Sequence, residues 1–248
     1  MLMQSQVHGD STMLGQLIAA LKTDNKLDEA FSQFREMLGA AQWMFDEANE
    51  VLRGKKEGDS VRDPLYNKDQ EINTLLRSIR GNILTHLSVN PVADIPGCLA
   101  LMSIANDAER IGDYCKNVFE VGRYYEGDYE IERYHQPLED IRVQATVLFE
   151  DVIKAFSESS TKQAKKSIKA ADRIRGECDA VEETLLRDRR TVETHAAVAY
   201  SLLARHYKRV ASHLANIATA VFGRIEDLDF RKPKKKSAEG GETETPAE

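Results

Sequence analysis

The sequence predicts an all-α protein made of two tandem antiparallel three-helix bundles, and three observations carry that expectation. Apolar residues recur at helical spacing through six long segments, and no segment sustains strand alternation. Interruptions are few: 248 residues contain 6 prolines and 14 glycines, and aromatics at 7% are scarce for a β-sandwich. The third segment also slides onto the sixth at an offset of 99, pairing Ile104 with Leu203, Arg110 with Arg209, Ile111 with Val210 and Asn117 with Asn216. A duplicated bundle, its two copies laid end to end, accounts for such a repeat.

The elements follow in order. Residues 11–21 read as a short helix. Over 27–52 the stripe Leu27, Phe31, Phe34, Leu38, Ala41, Phe45, Ala48, Leu52 steps by fours and threes, and Arg53–Gly54 supplies a cationic last turn and a C-terminal glycine. A polar linker covers 55–63. The second long helix runs from 63–64 to 87, with Asp63 as N-cap, Pro64 in its first turn and an inward stripe through Ile72, Leu76, Ile79 and Ile83; Asn90–Pro91 closes it. The third covers 96–124 with small inward residues, Ala105, Ala108, Gly112, Cys115 and Gly122, that let neighbouring backbones approach. Gly127–Asp128 separates the halves. Helices over 134–157, 161–190 and 192–224 repeat the plan, the last with the stripe Leu203, Tyr207, Val210, Leu214, Ile217, Val221. The tail, 231–248, has a basic block followed by a Gly/Thr/Glu/Pro stretch and reads as disordered. The expected units are thus 1–126, 127–230 and the tail 231–248.

Composition narrows the function. No apolar run reaches the 18–20 residues of a membrane span. Residues 1–10 show neither a positive cluster nor an apolar stretch behind it, so a cytoplasmic protein is expected. A net charge of −7 disfavours a nucleic-acid partner. Cys98, Cys115 and Cys178 form no CxxC clip and are read as small buried hydrophobes. Trp43 reads as packing, and the basic block at 231–236 as solvated tail. No phosphate-cradling glycine loop and no nucleophile elbow is present.

The chemistry-bearing segment is 106–117. Glu109 and Asp113 lie one helical turn apart beside the apolar stripe, with Asn106 and Asn117 on the same edge. Asp69 and Asn73 repeat that spacing on the second helix, with Glu71 nearby. If the two helices are antiparallel neighbours, four or five oxygen ligands converge on one bundle face, a donor set suited to a hard or borderline cation. The plain alternative is a solvated charged face.

The run Glu109-Arg110-Ile111-Gly112-Asp113-Tyr114-Cys115-Lys116-Asn117 resembles the signature of the PhoU family of phosphate-uptake regulators, Glu-Arg-Ile-Gly-Asp followed by variable residues and Asn. Asp69-Gln70-Glu71-Ile72-Asn73 is similar to the family's first motif helix, and Asn90-Pro91-Val92-Ala93 to the turn between them. The resemblance implies two three-helix bundles and a metal centre at Asp69, Asn73, Glu109 and Asp113 holding a divalent or trivalent ion, Fe, Zn, Mn or Mg. It also implies a non-enzymatic cytoplasmic regulator of phosphate uptake and signalling, expected as a homodimer, whose partners are a phosphate ABC transporter and/or a sensor histidine kinase. The competing readings are a carboxylate di-metal enzyme and a metal-free helical adaptor for a sodium/phosphate symporter. In the second half Lys208 and Ser212 stand where the motif has its two carboxylates, so a metal is expected in the first bundle only; His206 and His213 read as solvated or core-edge residues.

Overall fold

The computed structural model describes residues 25–89, 95–125, 132–188, 192–223 and 228. Among them are six helices and no strand: α1 (Asn25–Leu52), α2 (Gly58–Val89), α3 (Ile95–Tyr124), α4 (Glu132–Ser157), α5 (Thr161–Arg187) and α6 (Thr194–Ala220). The helix expected over 11–21, the Asn90–Pro91 closure, the Gly127–Asp128 break and the tail lie outside the described residues.

The apolar stripes are the core. Every stripe residue of α1 from Leu27 to Leu52 is buried, as are Leu203, Tyr207, Val210, Leu214, Ile217 and Val221 of α6. All three cysteines are buried, and burial holds the thiol of Cys115 far up its scale and pushes that of Cys178 up to about 12. Trp43 is half-buried with the Lys68 ammonium 5.8 Å from its ring centroid.

Helix α1 ends as its sequence dictates. Gly54 adopts φ 65°, its amide donates to the Val51 carbonyl at 2.9 Å, and the Lys55 amide donates to that of Glu50 at 2.9 Å. This is a Schellman closure with glycine at the left-handed position. The end of α4 repeats it with Ser159 at φ 51°: the Ser159 amide donates to Phe156 at 3.2 Å and that of Ser160 to Ala155 at 2.9 Å.

Helix α2 starts earlier than the expected Asp63 cap. It begins at Gly58, and Pro64 lies inside it. Burial of Val61 and Leu65, one turn apart, carries the helix back past the proline, and Arg123 of α3 holds its start through an ion pair to Asp59 at 3.0 Å. Apolar burial here outweighs the amide bond that proline removes.

The two bundles lie side by side, not end to end. Helix α3 packs on α6 as extensively as on the helices of its own bundle, and α1 also meets α4. Both contacts are antiparallel. Along α1 and α4, the Phe34 ring meets Phe156 and that of Phe45 meets Phe149, both at a tilt, and Arg53 reaches Glu139 at 3.6 Å. The cause is the width of the apolar faces. On α1, Phe31, Phe34 and Phe45 are buried with the second bundle against them, the first two meeting Phe156 and the third Phe149. Phe45 also meets Tyr207 of α6 edge-on at 5.8 Å, and the Tyr207 hydroxyl donates to Asn49, whose amide donates to the Phe45 carbonyl at 2.7 Å.

Candidate functional site

Helices α2 and α3 bring Asp69, Asn73, Glu109 and Asp113 to one seam. At Gly112 the two helices run close: a Cβ there would lie 3.3 Å from Ile72 Cδ1 and 3.8 Å from Asp69 Oδ1, so a side chain would press on the tip of Ile72. The Asn73 amide donates to the Asp69 backbone carbonyl at 3.0 Å and lies 3.4 Å from Asp69 Oδ2. Glu71 turns to Lys68 at 2.7 Å and takes no part. Burial, then the charge of Asp113, raises the pKa of Glu109.

The seam already holds cations. Lys116 Nζ stands 2.9 Å from Asp69 Oδ1 and 2.9 Å from Asp113 Oδ1, bridging the two helices. Arg110 lies 3.3 Å from Asp113 Oδ2 and 3.6 Å from Glu109 Oε2. Burial pulls the Lys116 ammonium down its scale, but its hydrogen bonds to Asp69 and Asp113 outweigh this and the net shift is upward. Among the described residues no three His, Cys, Asp or Glu side chains are grouped to hold a metal ion. As arranged, the four expected ligands do not fit a bridging metal, because an ammonium occupies the place between two of them. Lys116 is the residue that sequence reasoning passed over. It sits inside the motif, one turn beyond Asp113, which was the available signal.

A cleft of about 510 Å³ opens beside the seam, between Tyr66, Tyr114, Asn117 and Glu120. The Tyr66 hydroxyl donates to Glu120 Oε1 at 2.9 Å. Burial, then this acceptor, raises the Tyr66 pKa.

The corresponding seam of the second bundle, α5 against α6, holds paired charges. Lys208 reaches across from α6 to pair with Asp179 of α5, and Arg175 pairs with Asp172. Ser212 turns back, its hydroxyl donating to the Lys208 carbonyl at 2.8 Å.

His206 and His213 face the junction between bundles. His213 Nδ1 lies 2.7 Å from Asp107 Oδ1, a carboxylate only 7% exposed, and the Asn216 amide donates to the same oxygen at 3.0 Å. The Tyr114 ring stacks on His213 at 5.7 Å and lies 6.0 Å from His206, while Arg209 Nε donates to the Tyr114 hydroxyl at 3.2 Å. At the offset of 99, Tyr114 corresponds to His213 and Asp107 to His206. The Asp107–His213 contact thus has its counterpart in His206–Tyr114, and two equivalent residues stack between them. The two copies meet about an approximate two-fold axis, as the two protomers of an isologous dimer do.

A family model described as the PhoU domain matches the chain twice, over residues 34–121 and 138–221, one match for each bundle. The fold is similar to that of the phosphate transport system regulatory protein PhoU from Streptococcus pneumoniae, with a TM-score of 0.66 and 21% identity over 80% of this chain and 94% of that one. It is also similar to PhoU from Pseudomonas aeruginosa, with a TM-score of 0.71 and 19% identity over 81% and 97% of the two chains. No curated protein matches the sequence.

Proposed function

The chain belongs to the PhoU family, and from that premise we propose that it regulates phosphate uptake and phosphate signalling by protein–protein contact, without catalysis. The double family match, one for each bundle of a side-by-side pair, carries this reading. A phosphate ABC transporter, a sensor histidine kinase, or both are its partners on the cytoplasmic side. Among the described residues no helix is long and apolar enough to cross a membrane.

Physical features of the chain support a docking role. Six helices of 26 to 32 residues give long, rigid faces. The carboxylates of the α2–α3 seam are bound up in ion pairs. The contribution of the acidic seam is to fix the α2–α3 face in one geometry.

The test is deletion of the gene, followed by uptake of radiolabelled phosphate in phosphate-rich medium. Uptake should rise several-fold, a kinase-dependent reporter should be derepressed, and the wild-type chain supplied in trans should reverse both. Unchanged uptake and unchanged reporter activity in the deletion strain would refute the reading.

A further inference from the structure

Each bundle joins its second helix to its third through a lysine. In the first bundle Lys116 of α3 lies 2.9 Å from Asp69 of α2 and 2.9 Å from Asp113. In the second, Lys208 of α6 pairs with Asp179 of α5. We propose that these lysines are the resident counter-ions of the two seams, and that Lys116 excludes divalent metal from Asp69, Glu109 and Asp113.

The exclusion is steric and electrostatic. An ion bridging Asp69 and Asp113 would need an oxygen from each at about 2.0–2.6 Å, which centres it between the same two oxygens that now contact the ammonium. Nitrogen and metal cannot share that position. Of the other oxygens, Asp113 Oδ2 and Glu109 Oε2 face Arg110, and Asp69 Oδ2 faces the Asn73 amide. A metal entering the seam would have to displace Lys116, whose side chain is only 21% exposed, and leave that ammonium beside the new ion. Like charges about 4 Å apart oppose this even at a protein-surface dielectric constant.

The second bundle shows the same device at a different register position. Lys208 occupies the place that corresponds to Glu109, and the carboxylate it holds is Asp179. A lysine from the third helix of each bundle therefore meets a carboxylate from the second. This inference concerns the seam itself and stands apart from the regulatory reading, which the uptake experiment tests independently.

The test uses the full chain, stripped with EDTA and titrated calorimetrically with MnCl2 and with ZnCl2. The parent should bind neither tightly. Lys116→Met, which keeps chain length and removes the charge, should bind at least about tenfold tighter than the parent. Lys116→Arg should behave like the parent. Adding Glu109→Gln and Asp113→Asn to Lys116→Met should erase the gain, which places the new site in the seam. Circular dichroism checks that each variant folds, and Lys116→Gln replaces Lys116→Met if the latter does not. Tight stoichiometric metal in the parent, matched by Lys116→Met, would overturn the proposal. So would the absence of any gain in folded Lys116→Met or Lys116→Gln.

Discussion

The α2–α3 seam and the α5–α6 seam are built on the same plan and filled with different chemistry. The first gathers three carboxylates, Asp69, Glu109 and Asp113, around Lys116 and Arg110. The second has Lys208 where the first has Glu109, and it pairs Lys208 with Asp179 and Arg175 with Asp172. The apolar positions did not diverge this way. Ile104, Ile111 and Val118 keep Leu203, Val210 and Ile217 as equivalents, and all six are buried. A core position is constrained by volume and dehydration, so a changed side chain is felt at once. A seam position at the edge of water needs only a charge partner, and either sign serves if its neighbour changes with it.

The largest expected effect breaks the backbone symmetry. A Cβ on Gly122 would stand 2.8 Å from both the Leu52 Cα and N, so α3 touches the α1 backbone there. Its equivalent in the second bundle is Val221, a buried side chain. Gly122→Ala should therefore destabilise by about 3 kcal/mol, the upper part of the overpacking range. Thermal melting checks this, and a loss under 1 kcal/mol would show that the α1–α3 contact relaxes freely.

Removing the two lysines separates the seams. In metal-free buffer Lys116→Met takes the ammonium from Asp69, which is only 13% exposed, leaves Arg110 alone with Glu109 and Asp113, and should cost about 1–2 kcal/mol. Lys208→Met should cost less than about 1 kcal/mol, because its partner Asp179 is 57% exposed. Urea unfolding at low and high salt measures both. Equal losses would mean that burial does not distinguish the two pairs.

The two Schellman closures offer opposite substitutions. Ser159→Gly relieves a left-handed residue at the end of α4 and should stabilise by about 1 kcal/mol. Gly54→Ala, at the matching end of α1, should destabilise by a similar amount. Chemical denaturation midpoints moving in the same direction would contradict this account.

The smallest effect is a pH dependence. Burial, then the charge of Arg205, lowers the pKa of His206 below its usual 6.5. The unfolded chain then takes up the proton first as pH falls. Stability is unaffected by this group well above pH 6.5 and declines as pH drops through about 6.5 toward the folded-state value. His206→Asn should flatten this part of the stability curve. Melting temperatures between pH 7.5 and 5 test it, and a slope unchanged by the substitution would assign the dependence to other groups.

Much of the molecule was legible before its structure. A stripe recurring at three and four residues can only be buried as a helix, so α1, α4 and α6 followed from spacing. Gly54 marked the end of α1, because the left-handed position there favours a residue without a Cβ. The one-turn spacing of Asp69 with Asn73 and of Glu109 with Asp113 placed all four on helix edges that could meet, and they do share a seam. The start of α2 lies ahead of Pro64 because proline is a local signal, whereas the burial of Val61 and Leu65 comes from packing that local sequence does not carry.

What the sequence determined by itself is periodic and local: helix positions, inward faces, the small residues that permit close approach, and the internal repeat. These depend on backbone geometry and on neighbours a turn away. Tertiary structure alone decided the rest. The bundles lie side by side because the faces of α1, α3 and α6 are too wide for one interior, and a width becomes a seam only against a second surface. Asp107 is buried because α6 supplies His213 and Asn216 from a hundred residues away. Lys116 becomes the counter-ion of a three-carboxylate cluster only because the packing of α2 on α3 carries Asp69 within 2.9 Å of its ammonium. Coulombic pairing falls off with distance between groups in space, and no spacing along a chain encodes that distance.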